Sequence, residues 1–297
     1  MIEYYINYKK PSLYSFENVD VEIGFGKGDF LVKKAVENPE KTFLGFEISL
    51  VSVKNLYKKI KKSSITNIRY TKVDAVVGFQ ILLKDETVDN IYINYPDPFP
   101  KKRDYKRRIT REYALQTFAK KLKVGGNIYI RTDHEDFFNF TIENLNKFQC
   151  FSFQYGKLNV EQPLTKYEKK WLSQGKNLYF INIKKKNSYL NPLEYEFKEV
   201  NLYPLKVEKK PINLDEIENR EFRIDKFTVV KFMEHAQKKN SILLETLLSE
   251  NGFLQKFYVR IKEKDKDLII DVSPFSDVLL TEGVQKVINL VGEQLFS

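Results

Sequence analysis

The sequence has no apolar segment long enough to cross a membrane. A membrane-spanning helix needs roughly 20 predominantly apolar residues, and no such run occurs among the 297. The opening residues, MIEYYINYKKPSLYS, also lack the continuous apolar region of a secretory signal peptide. We therefore expect a soluble, cytoplasmic protein with no membrane partner.

Cysteine and histidine are nearly absent. The only cysteine is Cys150, and the two histidines are His134 and His235. A single cysteine excludes an internal disulfide, and three scattered residues do not make the clustered pattern of a zinc site. We therefore expect that no metal is required, with a magnesium ion held by carboxylates as the remaining alternative.

The positive charge is concentrated in the first part of the chain. Residues 1–187 contain 34 basic and 21 acidic residues, whereas residues 188–297 contain 16 and 19. A basic face suits a polyanion, because each phosphate that it neutralises releases condensed counterions. A thermophilic surface rich in Lys and Glu would explain the same composition. Charge alone leaves both alternatives open.

Residues 19–187 alternate short β-rich runs with helix-like runs. VDVEIGF precedes GDFLVKKAVE, TFLGFEIS precedes VSVKNLYKKIKK, and the rhythm continues to EDFFNFTIENLNKF. This alternation predicts an α/β domain over residues 1–187, with a mainly parallel sheet covered by helices on both faces. The runs CFSFQYGKL and NLYFINIKKK predict a closing hairpin. Period-two runs and a final helix pattern, VLLTEGVQKVINLVGEQL, predict a small α+β domain over residues 188–297.

Three of the predicted strands end in acidic residues. In open parallel sheets, ligands bind beyond the carboxyl ends of the strands. Glu22, Gly24 and Gly26 lie in the first turn, where glycine lets the backbone approach a ligand closely. Glu47 ends the second strand, where a carboxylate can accept hydrogen bonds from ribose hydroxyls. Asp74 ends the third strand, where it could meet an adenine amino group.

The spacing of the glycines points to the kind of ligand. The pattern G-x-G-x-G lacks the third-glycine offset of the dinucleotide fingerprint. Without a pyrophosphate cradle, and with Glu22 close by, an electropositive nucleoside fits better than an anionic dinucleotide. S-adenosylmethionine is such a nucleoside and is the predicted cofactor. The alternative is an ordinary tight loop with no ligand.

The fourth predicted strand ends in YPDPFPKKRDYKRR. Pro96 and Pro98 fix φ on either side of Asp97, so the Asp97 carboxylate has little conformational freedom. A buried carboxylate that caps a neighbouring turn is the alternative. Six cations in residues 101–108 would repel one another without an anion, and a phosphate backbone is a natural partner. The alternative there is a solvated helix face.

These segments resemble a known family. PDPFPKKRDYKRR is similar to the signature P-D-P-W-P-K-K-R-H-x-K-R-R of the bacterial tRNA (guanine-N7-)-methyltransferases. EIGFGKG, GFEIS, RTDHED and PLTKYE match further family motifs in the right order, over roughly residues 20 to 185. The resemblance implies a Rossmann-like class I methyltransferase domain with a seven-stranded sheet, S-adenosylmethionine as cofactor and tRNA as substrate. It does not extend to residues 188–297.

The resemblance also implies roles for individual residues. The cofactor-binding positions of the family fall on Glu22, Glu47, Asp74 and Asp97, and the substrate-binding positions fall on Lys101, Asp133, Thr165 and Glu168. The catalytic position falls on Asp97. Two residues depart from the family pattern. Phe99 replaces the usual Trp and loses its indole donor, and Asp104 replaces the usual His, so no role of that imidazole carries over.

Structural roles compete with some of these assignments. Asp133 has the position of an N-cap for the helix that HEDFFNF predicts, and a cap is compatible with substrate contact. Thr165 and Glu168 have the spacing of a capping box. His134 is expected to be a surface residue.

The leading hypothesis is an S-adenosylmethionine-dependent enzyme that methylates N7 of the variable-loop guanosine of tRNA. A noncatalytic RNA-binding protein with the same fold and a small-molecule methyltransferase are the alternatives. The acidic strand ends disfavour the first alternative, and the basic cluster disfavours the second. For residues 188–297 we expect a role in stabilising or orienting the catalytic part. A monomer and a homodimer are equally compatible with the sequence.

Overall fold

The computed structural model describes residues 4–158 and 177–296. The chain divides into two compact units. The N-terminal unit contains the described residues up to Tyr8 and from Ser12 to Glu194, and the C-terminal unit contains Lys9–Pro11 and the chain from Tyr195 onward. No helix within the described residues is both long enough and apolar enough to span a bilayer.

The described part of the N-terminal unit is built on a seven-stranded sheet. Its strands are β1 (Val19–Ile23), β2 (Thr42–Glu47), β3 (Ile68–Lys72), β4 (Val88–Asn94), β5 (Leu122–Thr132), β6 (Phe151–Lys157) and β7 (Tyr179–Lys185). Their order is β3-β2-β1-β4-β5-β7-β6. Strands β1 to β5 pair in parallel, and β7 runs antiparallel to both β5 and β6. The predicted mainly parallel sheet and its closing antiparallel pair are confirmed.

Helices cover both faces of this sheet. They are α1 (Asp29–Glu37), α2 (Leu50–Ser63), α3 (Ala75–Leu82), α4 (Glu112–Lys121) and α5 (Glu135–Leu145). Phe43 and Phe46 of β2 point to opposite faces, because side chains alternate along a strand. Phe43 packs in a core cluster with residues of α1 and α2. Phe46 packs instead against Phe79 of α3, with ring centroids 5.3 Å apart.

The interior strand β1 is buried along its whole length, as expected for a strand covered on both faces. It lies between β2 and β4 in the sheet, and β5 lies on the far side of β4. Because these four strands are parallel, their carboxyl ends meet at one edge. The predicted site residues after β1, β2, β4 and β5 therefore come to the same edge of the sheet.

The described part of the C-terminal unit contains a six-stranded antiparallel sheet and one α-helix. The strands are β8 (Leu205–Glu208), β9 (Glu221–Arg223), β10 (Thr228–Lys238), β11 (Ser241–Glu250), β12 (Phe253–Lys264) and β13 (Asp267–Val272), in the order β8-β13-β12-β11-β10-β9. The helix is α6 (Glu282–Phe296). Val284, Val287 and Val291 of α6 share a core cluster with Phe232, Val259 and other strand residues.

The final helix is shorter than its apolar pattern predicts. It begins at Glu282, so Val278 and Leu279 lie in the preceding segment. The backbone N–H and C=O of Leu279 are instead held by the Gln255 side chain, at 2.9 and 3.2 Å. Buried apolar residues in an extended segment can continue the spacing of a helix without being helical.

Candidate active site

The turn after β1 leaves open space above two glycines. Gly24 and Gly26 have φ values of +70° and +52°, in the left-handed region that side chains rarely adopt. A Cβ added at either would meet no atom within 4 Å. Gly28 differs, because its added Cβ would lie 2.5 Å from Cδ1 of Leu56. Gly28 therefore serves packing on α2, and Gly24 and Gly26 form a cradle of bare backbone.

The Glu47 carboxylate connects this turn to the end of β2. One oxygen, Oε2, accepts a hydrogen bond from the Gly26 N–H at 2.9 Å. The other, Oε1, accepts from the N–H groups of Ile48 and Ser49, at 2.8 and 3.0 Å. An ionised carboxylate has about four acceptor sites. Glu47 thus orders the cradle and can accept further hydrogen bonds. Its binding of ribose hydroxyls stays a prediction.

Glu22 lies beneath the turn and is only 2% exposed. Its Oε1 accepts a hydrogen bond from Nδ2 of Asn94 at 3.2 Å. Its Oε2 is buried and has no hydrogen-bond partner within the described residues. Burial, assisted by the nearby Glu47 carboxylate and opposed by the Asn94 hydrogen bond, raises the pKa of Glu22 to about 8. A buried carboxyl oxygen without a partner suits a cationic or hydrogen-bond-donating ligand.

Asp74 has a structural role that sequence reasoning missed. It is the N-cap of α3, and its Oδ1 accepts hydrogen bonds from the N–H groups of Val76 and Val77, at 2.9 and 3.3 Å. The signal was available, since Asp directly before the apolar run AVVGFQIL has the position of a cap. Contact of Asp74 with an adenine amino group stays a prediction.

Asp97 follows β4 in an irregular loop. Its side chain is exposed, and within the described part of the chain its carboxylate has no hydrogen-bond or ion-pair partner. The alternative of a buried carboxylate capping a turn is therefore wrong. Tyr95 and Phe99 have positive φ values of 52° and 43°, which is uncommon for aromatic residues. The Tyr95 N–H donates to the carbonyl of Arg131 in β5 at 2.8 Å, which ties the loop to the sheet.

The basic cluster after Asp97 divides into two parts. Five of its six cations are exposed: Lys101, Lys102, Arg103, Lys106 and Arg107. They lie on and beside a 3₁₀ turn at Lys102–Arg107. The guanidinium of Arg107 lies over the Phe99 ring, 4.4 Å from its centroid. The sixth cation, Arg108, is fully buried, so the interpretation of all six as facing phosphate is wrong for this residue.

The residue that caps the helix after β5 is not the predicted one. Helix α5 begins at Glu135, and its N-cap is His134, whose Nδ1 accepts from the Phe137 N–H at 3.3 Å. The suggested cap role of Asp133 is therefore wrong, and the half-buried His134 has a structural role in addition. Asp133 itself is half-buried next to the end of β5. Its contact with substrate stays a prediction.

The structure thus brings some predicted residues into direct contact and leaves others unplaced. Hydrogen bonds join Gly26 to Glu47, and Glu22 to Asn94 near the end of β4. Asp97, Lys101 and Asp133 follow neighbouring strand ends. Thr165 and Glu168 lie outside the described residues. No group of three or more His, Cys, Asp or Glu side chains suited to a metal ion occurs in the part of the chain that the structure describes.

Comparison with known proteins identifies relatives over nearly the whole chain. The family model described as "Putative methyltransferase" matches residues 17–181. A tRNA (guanine-N(7)-)-methyltransferase of Aquifex aeolicus is 46% identical over 98% of this chain and 99% of its own length. One of Thermotoga maritima is 32% identical over 93% of this chain and 88% of its own. One of Ureaplasma urealyticum is 36% identical over 61% of this chain and 84% of its own length.

Proposed function

Since the chain belongs to the tRNA (guanine-N(7)-)-methyltransferase family, we propose that it methylates N7 of the variable-loop guanosine of tRNA, with S-adenosylmethionine as methyl donor. The enzyme is an S-adenosylmethionine-dependent methyltransferase with a Rossmann-like fold. We further propose that it binds the RNA through the exposed cations after β4 and acts in the cytoplasm, where its substrate is made. The match with relatives named for this activity over most of their length favours a tRNA methyltransferase over the noncatalytic RNA-binding protein and over the small-molecule methyltransferase.

The observation that carries the cofactor assignment is the buried, unpartnered Oε2 of Glu22 beside the bare backbone of Gly24 and Gly26. S-adenosylmethionine supplies a methyl group on a positively charged sulfur. Glu22 and the glycine cradle would hold its charged end, and Glu47 would accept the ribose hydroxyls. These donors and acceptors fit a cationic nucleoside, whereas the glycine spacing lacks the third-glycine offset of the dinucleotide-binding turn that holds a pyrophosphate.

Methylation of guanine N7 requires no general base, because N7 has a free lone pair at neutral pH. The role of Asp97 is then electrostatic. Positive charge appears on the purine during transfer, and a fixed carboxylate nearby favours that charge. The exposed position of Asp97 beyond β4 leaves its carboxylate available to a ligand. Asp133 and Glu168 would accept hydrogen bonds from the guanine edge, so that N7 is oriented toward the methyl group. Thr165 would assist there.

The target nucleotide must leave its stacked position to reach this edge of the sheet, so we infer that the base is extruded from the tRNA. The five exposed cations would bind the flanking phosphates and set the register of the RNA without reading its sequence. The Phe99 ring beneath Arg107 retains a flat face in the position where the family usually has Trp.

For the C-terminal unit we propose a supporting role. The Ureaplasma relative has the same named activity although the match covers only 61% of this chain. The activity named for that relative therefore does not depend on a counterpart of every segment of this chain. Residues 188–297 would stabilise the enzyme or contribute affinity for a remote part of the tRNA, rather than supply catalytic groups.

Incubation of unmodified tRNA with labelled S-adenosylmethionine tests the proposal. We expect transfer to tRNA, and loss of transfer when the variable-loop guanosine is replaced by adenosine. Transfer to both RNAs at equal rates would refute the assigned target. Binding of tRNA without any transfer would favour the noncatalytic alternative.

A further inference from the structure

Arg108 is the largest fully buried side chain of the described residues and the last cation of the basic cluster. A guanidinium cannot lose its proton, so burial is costly unless every donor finds an acceptor. Its position in the sequence suggests phosphate binding, but a side chain with no exposed surface does not reach a phosphate. The structure therefore requires another role for this residue.

Two of its hydrogen bonds go to the loop that contains Asp97. Nε donates to the carbonyl of Pro98 at 2.7 Å, and Nη2 donates to the carbonyl of Phe99 at 3.2 Å. These are the first and second residues after Asp97. Phe99 is also one of the two residues of this loop with a positive φ. A sparsely populated backbone conformation persists only when the surrounding structure holds it, and Arg108 is part of what holds it here.

The remaining bonds go to the start of α5. Nη1 donates to the backbone carbonyl of Asp136 at 3.4 Å, and Nη2 forms an ion pair with the Asp136 carboxylate. Hydrogen bonds from Arg108 and Tyr105 lower the pKa of Asp136. Asp136 lies in the first turn of α5, shortly after Asp133. Arg108 thus connects the Asp97 loop with the segment that contains a second predicted site residue.

Aromatic rings enclose the guanidinium. Its carbon lies 3.5 Å from the centroid of the Tyr105 ring and 4.7 Å from that of Phe140. The Tyr105 hydroxyl donates to the Asp136 carboxylate at 2.8 Å, which closes the arrangement. Stacking on rings and bidentate contact with carbonyls depend on the planar fork of arginine, and the ammonium of lysine reproduces neither.

We propose that Arg108 is a positioning residue, which holds the Pro96–Phe99 segment so that the Asp97 carboxylate keeps its place relative to the substrate. This rests on the proposed function of Asp97. A displacement of about 1 Å at an active site can lower the rate about 100-fold. Loss of the planar guanidinium of Arg108 should therefore lower kcat. It should leave the affinity for tRNA unchanged, because the buried Arg108 side chain has no exposed surface with which to contact RNA.

The decisive variant is Arg108→Lys, which keeps the charge and removes the fork. We expect kcat to fall by roughly 10- to 100-fold, with KM for tRNA and its salt dependence unchanged. Asp136→Asn, at a half-exposed side chain, provides a milder change should Arg108→Lys fold poorly. Its loss of kcat should be smaller, and the two changes together should cost less than the product of their separate effects.

Lys185→Gln is the matched control for lost stability. Lys185 is also a fully buried cation, whose Nζ donates to the carbonyl of Leu122 at 2.6 Å and pairs with Glu86 at 2.9 Å. Leu122 begins β5, at the edge of the sheet opposite the site. Lys185→Gln should therefore lower Tm without changing kcat. Equal kcat losses in Arg108→Lys and Lys185→Gln at similar Tm would overturn the proposal.

Hydrogen exchange provides a readout that does not depend on activity. The amides of Tyr95, Asp104 and Arg108 are hydrogen-bonded. We expect exchange over residues 95–108 to accelerate at least tenfold in Arg108→Lys and to stay unchanged in Lys185→Gln. Unchanged exchange in Arg108→Lys would overturn the positioning role. A wild-type protein that transfers no methyl group to tRNA would instead refute the proposed function, whatever the exchange shows.

Discussion

Glu22 makes the stability of the ligand-free protein depend on pH. Burial raises the pKa of this carboxyl to about 8, compared with 4.5 when it is exposed to water in the unfolded chain. Between these values the folded protein retains a proton that the unfolded chain has lost. The contribution of Glu22 to stability is therefore fully present below about pH 4.5, falls as the pH rises, and levels off above about pH 8.

The slope of stability against pH follows from the difference in the number of bound protons between the unfolded chain and the folded protein. One proton difference changes the free energy of unfolding by about 1.4 kcal/mol per pH unit. Over the whole interval from 4.5 to about 8 the loss is on the order of 4 to 5 kcal/mol, a large fraction of the stability of an ordinary domain. Glu22→Gln keeps the shape of the side chain and removes the titration. It should flatten this part of the pH dependence.

Urea unfolding of the wild type and Glu22→Gln at pH 5.5, 6.5 and 7.5 measures the difference. We expect the free energy of unfolding of Glu22→Gln, relative to that of the wild type, to rise by about 1.4 kcal/mol per pH unit. Asp20 is a second contributor of the same sign, because burial also raises the pKa of this carboxyl in β1. The slope that remains in Glu22→Gln should therefore be reduced further when Asp20→Asn is added to that variant. Parallel curves for wild type and Glu22→Gln would refute the raised pKa of the buried Glu22 carboxyl.

The same group couples the cofactor to pH. A cation bound beside Glu22 favours the ionised carboxylate, so cofactor binding should release a proton below pH 8. The affinity of the wild type for S-adenosylmethionine should then rise with pH up to about 8 and become constant. Glu22→Gln should bind more weakly and without this dependence. Calorimetry in buffers of different ionisation enthalpy measures the released proton directly.

Two further predictions concern the basic cluster and the C-terminal unit. Replacement of Lys101, Lys102 and Arg103 by Gln should weaken tRNA binding and reduce the slope of log affinity against log salt by up to about 2 to 3. The slope falls because each lost phosphate contact removes about 0.7 to 0.9 of it. An unchanged slope would mean that these cations face only solvent. A chain that ends at Glu194, where the N-terminal unit ends, should retain methyl transfer at moderate temperature and lose thermal stability, tRNA affinity or both. Initial rates and melting curves measure these effects. A folded but inactive truncation would mean that the C-terminal unit supplies part of the site.

The sequence predicted the sheet well because its signals are local. Alternation of apolar strands and amphipathic helices located all five described helices of the N-terminal unit and the residues that follow its strands, and the spacing of the glycines located the first turn. The role of Arg108 was not predictable in this way. In a run of charged residues an arginine reads as solvated, and only the tertiary packing of Tyr105 and Phe140 shows that it is buried.

Two helix boundaries were missed for a related reason. Asp133 and His134 are both able to cap α5, and the path of the backbone after Thr132 decides between them, with the Thr132 hydroxyl accepting from the His134 N–H at 3.1 Å. The apolar spacing that begins at Val278 continues into α6, but Leu279 is held by Gln255, which is distant in sequence. Hydrogen bonds between distant residues leave no local pattern.

Nucleoside analysis of tRNA after reaction with the wild type and with Asp97→Asn tests the proposed activity and the role of Asp97 together. With the wild type we expect N7-methylguanosine at the variable loop. With Asp97→Asn we expect a rate lower by at least about 100-fold, since the change removes only the charge that stabilises the positive charge developing on the purine. Unfolding curves should confirm that the variant is folded, because Asp97 is exposed and unpaired within the described residues. Methylation of N7 by Asp97→Asn at the wild-type rate would refute the electrostatic role of the Asp97 carboxylate.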